Sequence, residues 1–270
     1  MKGDKTMKEE FCLSSKDVVQ AAMDASNKNI KDFSVDPNVM IIFSRGLLNY
    51  LKEEVTLEES DWLLPFHPYG SEKLFRGNYN NIPITIILPP MGASPMASIA
   101  EDLIFCGAKR ILLVCGSWGI GKKVKLLDYI IPTHGLGSDG TSIHYGRKLS
   151  EEIELDKDIT NIIIEETKRR TENYHIGKNY SKEAFYQINK QEIFELQKKG
   201  CISMENGEVN VLATICKQRK VKYGTIFYSY YNPLEGWNIS WMQKKEKYKE
   251  CVELEGEIAL AAILRISQWY

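Results

Sequence analysis

Four short runs of apolar residues recur along the chain, separated by polar stretches. They are residues 38–43, 82–88, 110–116 and 223–231, with the sequences NVMIIF, IPITIIL, RILLVCG and YGTIFYSYY. The first three runs are apolar almost throughout, which is typical of strands buried on both faces of a sheet. The pattern therefore predicts four strands in a sheet that is covered on both sides.

Three other segments place apolar residues at helical spacing. In residues 96–104 the apolar stripe follows Pro95 and ends before Gly107, as helix start and stop signals do. Similar stripes occur in residues 208–219 and 252–266. Helices that alternate with strands predict an α/β fold with helices on both faces of the sheet.

The organisation along the chain predicts one large domain. Residues 1–35 are polar and weakly periodic, so we expect a peripheral, partly helical N-terminal segment there. Residues 36–270 show no internal repeat and no linker, which predicts a single domain. Residues 147–173 are highly charged and are predicted to form a surface helix.

Composition narrows the class of protein. The chain has 270 residues, 43% apolar and 26% charged, with a net charge of −1, as soluble globular proteins do. This balance gives no basic face for nucleic acid, and no apolar run approaches the ~20 residues of a membrane span. The six scattered cysteines and four histidines show no metal-ligand spacing. We therefore expect a cytoplasmic protein with reduced thiols, no metal, and no nucleic-acid or membrane partner.

Two glycine-containing turns follow predicted strands. The first, PPMGASPM at 89–96, places Gly92 between a strand and a helix. The second, GSWG at 116–119, follows the third strand. Backbone N–H groups in such turns can bind an anion, although a tight turn accounts for the glycines equally well. Neither turn has the spacing of a Walker loop or of G-x-G-x-x-G.

Two further segments contain residues suited to binding. The aromatic pair Phe185 and Tyr186 follows a polar turn, where the rings either pack in the core or stack on a heterocycle. Glu205 and Glu208 lie before and at the start of the predicted helix 208–219. Acidic residues are common at helix starts, so these carboxylates either stabilise the start of the helix or bind a ligand.

Taken in order, these segments resemble the nucleoside phosphorylase family, especially its uridine phosphorylase branch. Residues 89–121 resemble the family's M-G-x-x-S loop, helix, strand and G-T/S-x-G loop. DGTSIHYG (139–146) and AFY (184–186) resemble its D-G-T-S-x-H-Y segment and its aromatic pair. Residues 200–216 are similar to its G-x-x-x-x-E-M-E segment, and YYNPLEGWNI (230–239) resembles its N-R-L-E-G-x-x-I ending.

The resemblance implies both a fold and a reaction. The implied fold is a three-layer α/β/α arrangement with a central mixed, partly barrel-like sheet, in a homo-oligomer from dimer to hexamer. Family members cleave the N-glycosidic bond of a nucleoside during salvage and pass the sugar to phosphate, or to water in the nucleosidase branch. Charge builds up on the ribose ring, so positioning supplies much of the catalysis. Phosphate would be a co-substrate, and no cofactor is expected.

The resemblance assigns roles to individual residues. Glu208 corresponds to the carboxylate that binds the ribose hydroxyls, and Phe185 to the ring that stacks on the base. Met91 and Gly92 correspond to the loop under the sugar and phosphate. Ser117 corresponds to the phosphate-binding hydroxyl.

Three more positions complete the expected site. Trp118 and Gly119 are expected near the base. Asn232 stands where purine-specific members have a base-protonating aspartate, so its amide favours the uridine branch. Glu208 and Asn232 are thus the expected catalytic residues. Counting from Gly200 would move the sugar carboxylate to position 207, but a glycine there cannot accept hydroxyl protons.

The expected phosphate site departs from the family pattern. Val114 stands where phosphorylases have arginine, and Gly70 where an arginine from a neighbouring subunit is expected. Bidentate guanidinium contacts are the strong ones for phosphate. Three hypotheses follow: Arg45, Arg76 or Lys122 supplies the charge from a shifted position, water replaces phosphate, or the site binds a nucleoside without cleaving it.

Overall fold

The computed structural model describes residues 11–60, 62–63, 73–237 and 244–268. Gly70, where the family pattern places a neighbouring subunit's arginine, lies outside these ranges. The described helices are α1 (Ser15–Ser26), α2 (Arg45–Glu54), α3 (Ala93–Phe105), α4 (Lys157–Arg170), α5 (Lys190–Lys198), α6 (Glu208–Arg219) and α7 (Lys245–Ser267). The described strands are β1 (Asn38–Ile42), β2 (Thr56–Ser60), β3 (Lys73–Tyr79), β4 (Ile82–Leu88), β5 (Arg110–Gly119), β6 (Tyr129–Gly137), β7 (Ile153–Glu154), β8 (Tyr174–Ser181), β9 (Cys201–Glu205) and β10 (Lys222–Tyr231).

The strands form one mixed sheet that closes on itself at one end. Strands β5, β10, β6, β8 and β9 pair in a ring, because β5 pairs with both β10 and β9. Strands β1, β4, β3 and β2 extend the sheet from β5 as an open arm. This arrangement confirms the expected mixed, partly barrel-like sheet.

Helices cover both faces of the sheet, which confirms the three-layer arrangement. One apolar cluster contains residues of α1, α3 and α6, and a second contains residues of α2, α4 and α7. Helix α1 contributes Val19 and Ala22, both fully buried, so part of the N-terminal segment packs on the domain. Among the described residues, no helix combines the length and apolar character that a membrane span needs.

The predicted elements agree with most of the apolar pattern. The four predicted strands are β1, β4, β5 and β10, and α6 has the bounds predicted for it. Helices α3 and α7 extend beyond the segments predicted for them. The expected helix over 147–173 is wrong in part, because only α4 is helical. It begins at Lys157, where the Asp156 side chain accepts hydrogen bonds from two backbone N–H groups of the first turn.

Strand direction brings the predicted site segments to one edge. Strands β1, β4 and β5 are mutually parallel, so their carboxyl ends lie on the same side. Arg45 follows the end of β1, and Gly92 follows the end of β4. Ser117 is the third residue from the end of β5. Ligands of open α/β sheets bind at this edge.

A buried carboxyl group lies in α7, away from that edge. Glu255 is fully buried, and neither side-chain oxygen makes a hydrogen bond of normal geometry within the described residues. Burial raises the pKa of Glu255 well above its usual range, and the backbone of Tyr228 offsets only part of this rise. The folded chain therefore holds this proton to higher pH than the unfolded chain does.

Replacing Glu255 with methionine should stabilise the protein at pH 8 by about 1–3 kcal/mol, because it removes a buried, poorly bonded carboxyl group. The raised pKa of Glu255 stabilises the folded state as long as that state holds the proton. This contribution is complete below the unfolded pKa of about 4.3 and is lost as pH rises through the folded pKa. Urea unfolding from pH 5 to pH 8 measures this. The wild type should lose more stability over that range than Glu255→Met. Glu257→Gln, which removes the charge of an exposed ion-pair residue on the same helix, is the control. If the free energy of unfolding changes equally with pH in the wild type and in Glu255→Met, the prediction is contradicted.

Candidate active site

Helices α3 and α6 begin side by side at two glycines. Gly92 precedes α3 with φ 115°, and Gly207 precedes α6 with φ 105°. Both values lie in the region that glycine adopts without penalty. A β-carbon on Gly207 would lie 2.6 Å from Cβ of Ala93, so the close approach of the two helix N-termini requires glycine.

The carboxylate of Glu208 bridges these two helix starts. The Gly92 N–H donates a hydrogen bond of 2.6 Å to Oε1 of Glu208, 116 positions away in sequence. Glu208 is buried, whereas Met91 is 66% exposed. A carboxylate at a helix N-terminus is stabilised by the partial positive charge there. The anion held by this first glycine turn is thus the protein's own carboxylate.

A second carboxyl group, Glu205, supports the first. Its side chain accepts hydrogen bonds from the Glu208 N–H at 2.6 Å, from Nδ2 of Asn179 at 2.9 Å, and from the Ser181 hydroxyl. The Ser203 hydroxyl in turn donates to Oδ1 of Asn179 at 2.8 Å. Burial and the nearby Glu208 carboxylate raise the pKa of Glu205 well above its usual range. Glu205 therefore tends to keep its proton beside Glu208.

Replacing Glu205 with alanine should lower the free energy of unfolding by about 1–3 kcal/mol, because buried donors lose their acceptor. Glu205→Gln should cost less, since a neutral amide keeps one of the two acceptor oxygens that these donors use. Chemical denaturation at pH 7 measures both variants. If Glu205→Gln destabilises the protein as much as Glu205→Ala does, the prediction that Glu205 is protonated in the folded state is contradicted.

The second glycine turn contains a buried hydroxyl group. Ser117 is 1% exposed, and its Oγ has no hydrogen-bond partner within the described residues. An unpaired buried hydroxyl is costly, so a ligand oxygen at this point would be bound favourably. Val114, three residues earlier, is fully buried in the apolar cluster of α2, α4 and α7. An aliphatic side chain therefore occupies the position where the resemblance led us to expect an arginine.

Arg76 is engaged elsewhere in the chain. Its Nη2 lies 3.3 Å from Oδ1 of Asp36, and Asp36 also accepts a hydrogen bond from the Thr85 hydroxyl. Arg76 of β3 is in register with Thr85 of β4. Thr85 lies three residues before the end of β4, so Arg76 is about 10 Å from the carboxyl edge of the sheet. Within one chain, the charge of Arg76 is therefore paired with Asp36, and its role at the phosphate site stays a prediction.

Arg45 lies on the same edge as Ser117. It is the first residue of α2 and is exposed. Ile42 of β1 is in register with Val114 of β5, and Arg45 and Ser117 each follow that pair by three residues. Of the two candidate arginines, the structure thus brings Arg45 to the edge where the glycine turns meet.

The expected base-binding residues form an aromatic cluster. The ring centroids of Trp118 and Phe185 lie 4.3 Å apart with 30° between the planes. Tyr231 meets the Trp118 ring edge-on at 4.8 Å, and the Trp118 Nε1 donates a 2.9 Å hydrogen bond to the Tyr230 hydroxyl. At Gly119 a β-carbon would lie 2.3 Å from the Ser229 Oγ, so this glycine permits close packing of β5 against β10.

The side chain of Asn232 bonds within its own turn. Its Oδ1 accepts from the Leu234 N–H at 3.0 Å, and its Nδ2 donates to Oε1 of Glu235 at 3.2 Å. Asn232 also lines a cavity of about 470 Å³ together with Lys122 and Phe194. Asn232 and Lys122 therefore line the same cavity, and neither of these two hydrogen bonds of Asn232 involves Glu208.

Sequence reasoning singled out Glu205 but missed the other polar residues behind Glu208, which are Asn179, Ser181 and Ser203. Asn179 and Ser181 alternate on β8, and Ser203 and Glu205 alternate on β9. Their period of two places each pair on one face of its strand. That alternation was the available signal, but only the pairing of β8 with β9 brings the four side chains together.

Comparison with known proteins identifies the class. Residues 46–264 match the family model of the phosphorylase superfamily. Since the match covers most of the chain, the protein belongs to the phosphorylase superfamily, and its resemblance to nucleoside phosphorylases is confirmed.

Solved structures with this fold include enzymes for different nucleosides. Uridine phosphorylase from Vibrio fischeri is similar with a TM-score of 0.74 and 19% identity, covering 88% of this chain and 93% of that one. Purine nucleoside phosphorylase from Toxoplasma gondii gives 0.73 and 18%, covering 88% and 94%. The P. knowlesi homolog of P. falciparum PNP gives 0.71 and 17%, covering 99% and 97%. At these identities the similarity establishes the fold.

Proposed function

We propose that this chain is a nucleoside phosphorylase that cleaves an N-glycosidic bond and transfers the sugar to phosphate. The products would be a free base and ribose 1-phosphate. The observation that carries the proposal is the buried Glu208 carboxylate, fixed by the Gly92 N–H at the N-terminus of α3. The proposal includes a cytoplasmic homo-oligomer, with no cofactor beyond phosphate as co-substrate.

Glu208 is the residue that would bind the sugar. A carboxylate has about four acceptor positions, and Gly92 uses one of them, so others can accept hydrogen bonds from ribose hydroxyls. As the bond to the base breaks, positive charge develops on the ribose ring, and a fixed carboxylate stabilises it. A protonated Glu205 fixes the Glu208 backbone without adding a second negative charge.

Ser117 and Arg45 would bind the phosphate. The Ser117 hydroxyl is buried without a protein partner in the described residues, which leaves it available to a phosphate oxygen. Arg45 would supply the positive charge from the start of α2, in place of the arginine that Val114 replaces. A guanidinium group suits this role because it can bind two phosphate oxygens together.

Replacing Arg45 with alanine should raise the KM for phosphate about ten-fold or more, because a hydrogen bond to a charged group contributes about 1.5–3 kcal/mol. The KM for the nucleoside should change little. Initial rates at varied phosphate concentration measure this. Arg76→Ala is the matched control, since Arg76 is paired with Asp36. A larger effect of Arg76→Ala than of Arg45→Ala would show that the phosphate charge was assigned to the wrong residue.

Phe185 and Asn232 bear on the choice of base. Phe185 offers a half-buried ring for stacking. Asn232 can donate a hydrogen bond but cannot protonate a departing purine. These features support a pyrimidine nucleoside such as uridine as the substrate.

Hydrolysis is the second candidate reaction. It is favoured by the buried Val114 and by the pairing of Arg76 with Asp36, since both lower the positive charge available for a phosphate dianion. In this case a water molecule bonded to the Ser117 hydroxyl would accept the sugar.

Phosphate dependence distinguishes these reactions. The purified chain is incubated with uridine, inosine or methylthioadenosine, with and without phosphate, and the released base is quantified. We expect base release from uridine that requires phosphate. Equal release without phosphate would establish hydrolysis, and no release from any nucleoside would refute both reactions.

A further inference from the structure

The ring of Phe185 is already in contact with another ring. Trp118 lies against it with ring centroids 4.3 Å apart and 30° between the planes. Aromatic pairs in proteins have centroid distances of about 4.5–7 Å, so no third ring fits between these two. A nucleobase therefore cannot insert between Trp118 and Phe185 in this arrangement.

The contacts of the Trp118 indole are those a nucleobase would make. One face meets Phe185, Tyr231 meets the ring edge-on at 4.8 Å, and the indole N–H donates to the Tyr230 hydroxyl at 2.9 Å. The side chain is only 8% exposed. An indole is a flat bicyclic ring with an N–H donor, as a purine is.

Space for a displaced indole adjoins the cluster. Leu234 packs against the cluster that contains Trp118, and it also lines the cavity of about 470 Å³. Gly121 and Phe194 line the same cavity. A ring leaving Phe185 would thus have Leu234 and Phe194 to move against, on a cavity wall that also carries polar side chains such as Lys122 and Asn232.

We propose that the Trp118 indole occupies the nucleobase position on Phe185 and controls which bases bind there. This inference rests on the proposed function, which assigns Phe185 as the base-stacking ring. A base binds only to molecules in which the indole has left Phe185. The apparent affinity for the base is reduced by the fraction of molecules in that state.

Binding of free bases to Trp118→Ala tests the proposal without requiring turnover. Isothermal titration calorimetry with uracil and adenine should show affinities about ten-fold or more above wild type, because the competing ring is gone. The gain should be larger for adenine, whose bicyclic ring matches the space of the indole. Adding Phe185→Ala to Trp118→Ala should abolish the gain. Trp237→Ala is the control, since Trp237 contacts Tyr231 but is 65% exposed.

A second measurement leaves Trp118 in place, and so does not depend on the folding of Trp118→Ala. In the Trp237→Ala background, saturating adenine should shift tryptophan emission to longer wavelength as the indole leaves its buried position, and the shift should be missing when Trp118→Phe is added. Weaker or unchanged base affinity in Trp118→Ala, or no emission shift with bound adenine, would overturn the proposal. If Trp118→Ala gains affinity but no nucleoside is cleaved, the proposed reaction fails and this inference stands. If the wild type cleaves uridine and Trp118→Ala binds bases more weakly, the inference fails and the reaction stands.

Discussion

Replacing Glu208 with alanine should reduce kcat/KM for a nucleoside by roughly 10²–10³-fold, the range found when one group that stabilises transition-state charge is removed. Glu208 is the buried carboxylate at the meeting point of α3 and α6. Its loss removes the acceptor for the ribose hydroxyls and the negative charge beside the ribose ring. Steady-state rates at 25 °C with saturating phosphate measure the effect.

Glu208→Gln separates charge from hydrogen bonding. Glutamine keeps an oxygen for the Gly92 N–H and for one hydroxyl, but it has no charge. We expect a rate between those of the wild type and Glu208→Ala, with a near-normal melting temperature. An unchanged rate in Glu208→Ala would mean that another residue binds the sugar and that the alignment of this segment is wrong.

Replacing Gly207 with alanine should lower the free energy of unfolding by roughly 3 kcal/mol or more, because backbone strain and overpacking add. At φ 105° an alanine is strained, and its β-carbon would meet Ala93 at 2.6 Å. Relief of that contact moves α6 away from α3, which also separates Glu208 from Gly92. Activity should therefore fall together with stability.

Gly146→Ala provides the matched control for Gly207→Ala. Gly146 also has a positive φ, 81°, but a β-carbon there would meet no atom within 4 Å. Its replacement should thus cost only the backbone strain and leave activity unchanged. Equal losses of stability in the two variants would show that the contact with Ala93 has no effect of its own.

The sequence predicts the strands that are apolar on both faces better than the strands that carry polar side chains into the ring. Strands β1, β4 and β5 are buried on both faces, so they stand out as apolar runs. Strands β8 and β9 contain Asn179, Ser181 and Glu205, whose polar side chains face one another in the ring. Such strands lack the apolar pattern, and only strand pairing shows that their polar groups satisfy each other.

The candidate site, too, could be predicted from the sequence only in part. The order of the motifs indicates that Glu208 and Gly92 belong to one site, but their contact across 116 positions depends on the tertiary fold. Arg76 looked suitable by residue type, and only the register of β3 and β4 places it beside Asp36. Likewise, the contact between Trp118 and Phe185, which are far apart in sequence, depends on the tertiary fold.

The most direct test of sugar transfer to phosphate is ³¹P nuclear magnetic resonance of the protein with uridine and inorganic phosphate. We expect a new sugar-phosphate resonance that grows in step with free uracil while inorganic phosphate declines equally. Glu208→Ala should suppress both products together. Free uracil without any sugar-phosphate signal would contradict transfer to phosphate, and the absence of both products would contradict nucleoside cleavage itself.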